Sequence, residues 1–149
     1  MTSMFDPQQF LDVTLTEPTV KRPPIPIGDY LGSIKSVKAR AWKSRDNTKS
    51  GIAVDVAIEV ALGDLAQSYG APAVVISDSI MLDTLENGSL DNSVGKNRKL
   101  GNYRDALDMN KKGEQFSIRM MEGRMIRVKV SHEMYEGDIY DRIEKVAKV

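Results

Sequence analysis

The sequence predicts a mainly β domain: a five-stranded, OB-fold-like barrel with one helix between strands 3 and 4 and an extended N-terminal arm. Three observations predict it. Residues 28–62 read as two long strands joined by a basic loop, with apolar and polar residues alternating. Two further alternating runs, VVISDSIMLD and MIRVKVSH, lie downstream, before a last apolar-spaced stretch from Ile139. One segment of helical spacing, Asn102–Lys112, sits between them. Strand, strand, strand, helix, strand, strand is the order of an OB-fold, whose 1–2 and 4–5 loops flank its binding face. An antiparallel sheet packed on one helix gives the same string.

In residues 1–27, Asp6-Pro7 forms a cap and first-turn pair, with Phe5, Phe10 and Leu11 around it. Pro18, Pro23, Pro24 and Pro26 then impose an extended path. We read an arm that lies across the domain or reaches a second subunit, giving a homodimer. The domain itself spans residues 28–149.

Strand 1 runs from about Asp29 to Lys43. Tyr30, Gly32 and Ile34 share one phase, and Val37, Ala39 and Ala41 share the other, so a bulge is expected near Lys35–Ser36. The alternation turns Val37, Ala39 and Ala41 inward and Lys38, Arg40 and Trp42 outward. The loop Lys43–Gly51 adds Lys43, Arg45 and Lys49 against one acid, Asp46. Strand 2, about Ile52–Leu62, turns Val54, Val56, Ile58 and Val60 inward together with Ile52. A connection with turn residues Gly63-Asp64 and Gly70 leads to strand 3, about Ala73–Leu85. Asp78 falls in the inward phase there, at a wet barrel end or beside a bulge. Residues 86–100 are polar and rich in Gly and Asn, which predicts a loop ending in Lys96, Arg98 and Lys99.

The helix is expected to be capped by Asn102 and ended by Gly113. Strand 4, Met125–His132, turns Ile126, Val128 and Val130 inward and Arg127 and Lys129 outward. A loop, His132–Asp138, carries Tyr135 at its tip. Strand 5 follows, with Ile139, Ile143 and Val146 as core residues.

Composition narrows the function. The chain has 149 residues, enough for one domain with a real core. It has no cysteine, which removes disulfides, thiolate zinc sites and cysteine nucleophiles and fits a reducing compartment. No apolar run approaches a membrane span, and no signal pattern opens the chain, so a cytoplasmic location is expected. Net charge is zero but unevenly spread: residues 33–51 hold six cations and one acid, and residues 52–94 hold seven acids and no cation. A neutral chain so divided can still present a basic groove to a polyanion.

No phosphate loop, nucleophile elbow or dinucleotide turn is present, so no catalysis and no cofactor are expected. Asp78 and Asp83 lie five apart on a strand and face opposite sides, which excludes them as a metal pair. The single histidine, His132, has no cysteine for a ligand partner and reads as structural.

Cations alternating with an indole suit a single strand of nucleic acid, where cations track phosphates and a flat ring stacks on a base. The candidate contacts are Lys35, Lys38, Arg40, Trp42, Lys43, Arg45, Lys49, Lys96, Arg98, Lys99, Arg127, Lys129 and Tyr135. Simple solvation of the charged face, with the tryptophan closing a core strand, is the bland reading of the same residues.

Three stretches carry a family resemblance: MFDPQQFLD, TEPTVKRPPIPIGDYLGSI, and LDM followed by KKGEQFSIRMMEGRMIRVKV. They resemble a family of small phage-encoded proteins with an FDP–FL opening, a P-x-G-[DE]-Y strand start and an [LM]-x-G-x-x-[IV]-x-V-x-[VI] strand. The resemblance covers most of the chain and marks fold positions rather than chemistry. It implies an OB-fold that binds single-stranded DNA in phage replication or recombination, alongside replication or recombination proteins and away from membranes. Many such binders end in a flexible acidic tail that recruits partners. This chain ends IEKVAKV, so recruitment by that route is not expected. The alternative is a structural or interaction module that assembles with itself or binds a host protein, with no nucleic-acid role.

Overall fold

The computed structural model describes residues 6–149. Phe5, expected beside the first turn, lies outside them. The elements are β1 (Gly28–Lys43), β2 (Ser50–Ala61), α1 (Ala66–Tyr69), β3 (Ala73–Met81), α2 (Arg98–Ala106), β4 (Met125–Tyr135) and β5 (Asp138–Ala147). The strands form one antiparallel sheet in the order β3-β2-β1-β4-β5. The fold is mainly β.

The expected closure into a barrel is absent, because no ladder joins β3 to β5. Parts of these two strands come within 8 Å of each other, yet side chains from elsewhere occupy the seam. At one end Lys21 and Arg22 of the arm sit with Val75, Ile76 and Ser77 of β3 and Tyr140 and Asp141 of β5. At the other, Lys99 and Tyr103 of α2 meet Asp78 of β3 across a cleft of about 450 Å³ that reaches Ile143.

The expected bulge in β1 is present, as a register shift between Ile34 and Ser36. It turns Ile34 and Val56 to the same face and sets Lys38, Arg40 and Trp42 on the other. The core is made of the inward residues of all five strands with Ile25, Leu100, Tyr103, Leu107 and Met121. Burying each large aliphatic side chain contributes about 1.5–3 kcal/mol, so this cluster dominates stability. Asp78 faces inward without a bulge in the β2–β3 ladder. It accepts hydrogen bonds from the Tyr103 hydroxyl and the Lys99 ammonium, both at 2.7 Å. Burial, with the Asp78 charge beside it, pushes the Tyr103 phenol far above its usual range.

Several boundaries differ from the sequence reading. The helix starts at Arg98, not Asn102, because Asn97 takes a left-handed conformation and is clamped to the preceding loop. Its amide donates to the Asp83 and Asp91 carbonyls, its backbone N–H donates to the Asp83 carboxylate, and its side-chain oxygen accepts from the Asp83 N–H. The polar loop of residues 82–97 is therefore tied at its two ends. The helix ends before Asp108, which is left-handed, so Gly113 does not cap it. β3 stops at Met81. The β4–β5 connection shrinks to Glu136-Gly137, both with positive φ, as a type I′ hairpin turn requires.

The arm divides in two. Asp6 accepts from the Gln8 N–H and caps a single 3-10 turn over Pro7–Asp12, as expected. Residues 6–23 are all exposed. Residues 21–25 are fastened to β5. The Arg22 guanidinium pairs with Asp141 at 2.8 Å, the Ile25 N–H donates to the same carboxylate, and the Lys21 ammonium donates to the Ile139 carbonyl. His132 bonds the Ile25 carbonyl at 2.7 Å, a structural role. No helix among the described residues is long and apolar enough to cross a membrane.

Candidate nucleic-acid interface

The β1–β2 hairpin outgrows the sheet. β4 pairs with β1 only over Gly28–Ser33, and β3 meets β2 only from Ala53 onward. Beyond those points the hairpin has no strand beside β1. Ala39 and Ala41, expected in the core, are therefore exposed, and Ile52 is 37% exposed. Their phase is as expected, but they lie past the end of β4, and the core reaches only as far as Val54, opposite Ala39.

On the other face Trp42 pairs with Gly51, and the indole lies flat over it. A Cβ at Gly51 would stand 2.8–3.0 Å from the ring, so only glycine admits this placement. The Trp42 ring N–H is buried and has no hydrogen-bond partner among the described residues. One ring face is thus used by the hairpin, and the side chain as a whole is half-buried. Next along the face, Ala53 is fully buried between Arg40 and Met81 in the ladders. Arg40 pairs with Asp55 at 2.8 Å, and Asp55 accepts from the Ser79 hydroxyl. Those two hydrogen bonds, Ser79 first, lower the Asp55 carboxyl below its usual range.

The connecting loop is built on Asp46. Its carboxylate accepts from the Ser44 hydroxyl and from the Thr48 hydroxyl and N–H, and the Ser44 N–H bonds the Lys49 carbonyl at 2.8 Å. These bonds lower the Asp46 carboxyl to about 2, the Ser44 hydroxyl first. The loop's one acid is spent inside it, and Lys43, Arg45 and Lys49 project from it without an ion pair among the described residues.

The structure sorts the remaining sequence candidates by place. Lys38 shares the Trp42 face and Lys35 lies in the bulge; neither has an ion pair among the described residues. Arg127 and Lys129 face outward on β4, opposite Leu31 and Asp29 of β1. That is about 23–30 Å along β1 from Lys38 at the rise of a strand. Lys129 is paired with Glu144 at 3.2 Å. Tyr135 is exposed beside the β4–β5 turn, at the opposite end of the ladder from Trp42. Lys99 is bound to Asp78, and Lys96 and Arg98 sit where the clamped loop enters α2. The ladder thus sets Lys38, Arg40 and Trp42 on one face, turns Lys43 to the other with Ala41, and leaves Arg45 and Lys49 in the loop at the same hairpin tip; the other candidates are spread.

Sequence reasoning missed four outer-face residues. Ser79 and Met81 flank the Trp42 face from β3, and strand phase is the signal that could have found them, since both alternate with Asp78 and Ile80. Arg142 and Lys145 face outward on β5 beside Ser131 and Lys129. A register shift at Glu144 places Lys145 there, and the switch of apolar phase between Ile143 and Val146 is its sign in the sequence. Neither the family models nor the curated proteins compared with this chain match it.

Proposed function

We propose that the chain binds single-stranded DNA, without catalysis and with little regard to base sequence, on the outer face of the β1–β2 hairpin. One observation carries this reading: an indole, held flat by Gly51, stands between Lys38 on its own face and Lys43, Arg45 and Lys49 at the hairpin tip, none ion-paired among the described residues. A base stacks on the free face of Trp42, which is worth ~1–3 kcal/mol, while the backbone follows the cations. Four phosphate contacts give a salt slope of about −3. Arg40 is held by Asp55 and positions the face more than it binds. The strand order and the near approach of β3 to β5 support an opened OB-fold, whose 1–2 loop would be Ser44–Lys49. A role in coating strands during phage replication or recombination follows from the family resemblance.

Electrophoretic mobility shift and fluorescence anisotropy with a labelled oligo-dT test this. Lys38→Glu with Lys49→Glu should lower affinity at least about tenfold at low salt, with an unchanged thermal melt. Retained affinity in that variant would remove the face assignment. The alternative, a self-assembling or host-protein-binding module with no nucleic-acid role, is favoured by one observation, the exposed arm, and the absence of any mobility shift with oligo-dT would select it.

A further inference from the structure

The chain carries a strand without a partner and an edge without a strand. The unpartnered strand is Val13–Glu17. Val13 and Leu15 alternate with Thr14 and Thr16, and Leu11 precedes them in the same phase. Val13 is extended, residues 14–16 belong to no helix or sheet, Glu17 stands at a bend, and Val13 and Leu15 are 56% and 75% exposed. Its residues 14–20 make no backbone hydrogen bond among the described residues. An alternating apolar run of this kind is a sheet pattern, and it has no sheet here.

The unpartnered edge is the overhanging part of β1. Ladder parity shows which groups are free there. The Val37 N–H turns away from β2 to the Glu122 carboxylate at 3.1 Å, and the Ile52 carbonyl turns away from β1 to the Leu82 N–H at 3.0 Å. Ala39 and Ala41 share that parity, so their N–H and C=O groups point to the open side. The exposed apolar surface of Ala39, Ala41 and Ile52 lies against the same edge.

We infer that Val13–Glu17 of a second copy of this chain adds as a strand to the open edge of β1 at Ala39–Ala41. Charge supports that occupant. Residues 6–20 carry Asp6, Asp12 and Glu17 and no cation, whereas the hairpin is strongly basic. Cations along the edge reject a second copy of the same edge and accept an acidic strand. In this pairing Val13 and Leu15 cover Ala39 and Ala41, and the outer face with Trp42 stays clear.

The chain's own arm leaves that edge bare: residues 14–20 make no backbone hydrogen bond among the described residues, and residues 21–25 are fastened to β5. A neighbour's arm is the occupant the edge can still take. This inference does not depend on nucleic-acid binding and is tested without nucleic acid.

Sedimentation equilibrium of the full chain at low salt should show concentration-dependent self-association. Thr14→Pro with Leu15→Pro removes a ladder donor whichever way the strand faces, in a segment outside the core. Ala41→Pro removes an N–H that points away from β2. Each variant alone should associate at least about tenfold more weakly, the equivalent of one lost ladder hydrogen bond. Mixing the two should restore a heterodimer, since one keeps an intact edge and the other an intact arm. A chain that stays monomeric at all concentrations, or arm variants that associate as well as the parent, would overturn the inference.

Discussion

The two halves of β1 differ more than their sequences do. From Gly28 to Ser33 the strand pairs with β4, β2 joins it from Gly32, and the inward residues where the two ladders meet are sealed, with Gly32 buried and Ile34 fully buried. From Ser36 to Lys43 it has β2 on one side only, and its inward residues Ala39 and Ala41 face solvent. The alternation is equally regular in both halves. The difference is set by neighbours, not by pattern: one half is scaffold, and the other presents an indole, cations and unpaired backbone groups.

The comparison breaks first on stability. Ile34→Ala should cost roughly 2–5 kcal/mol in urea unfolding, while Ala39→Ser should stay within about 0.5 kcal/mol. Equal effects would mean that the overhang is packed after all. Gly32→Ala would press a Cβ to within 2.8 Å of the Ile58 methyl in the sealed half. It should cost about 1–3 kcal/mol. Gly51→Ala tests the other half, because its Cβ displaces the indole. We expect a red-shifted Trp42 emission and weaker oligo-dT binding, with little change in the unfolding midpoint. An unmoved emission spectrum would show that the ring is not seated on Gly51.

The smallest expected effect is on pH. Asp55, on the Trp42 face, has its carboxyl lowered by the Ser79 hydroxyl and then by Arg40. A carboxyl lowered in the folded state adds stability above its ordinary range, and that stability is lost as pH falls through the lowered value. The Arg40–Asp55 contribution should therefore be intact at about pH 5 and fade below roughly pH 4. Urea midpoints of the parent and Asp55→Asn should differ at about pH 5 and converge at the acid end. A gap independent of pH would remove the assignment.

These contrasts explain what could be read from the chain. Strand phases were legible because burial follows period two, and the bulge at Lys35–Ser36 was legible because the apolar phase switches there. The role of Asp78 was not, since its partners Lys99 and Tyr103 lie 21 and 25 residues away on a helix whose start depends on the Asn97 clamp. Ala39 and Ala41 were misplaced for a related reason: phase gives the face, and only the length of β4 tells whether anything covers it. The site was legible where its residues sit on one hairpin, as Lys38 and Trp42 do. It was not legible where ladders decide, as for Tyr135.

Trp42 is the only tryptophan of the chain, so its emission reports the hairpin directly. Titration with oligo-dT at low salt is the decisive measurement. Emission should be quenched to saturation and recover on adding salt, with a slope of about −3 in log affinity against log salt. Emission that does not change on adding oligo-dT, together with no mobility shift, would refute single-strand binding by this hairpin.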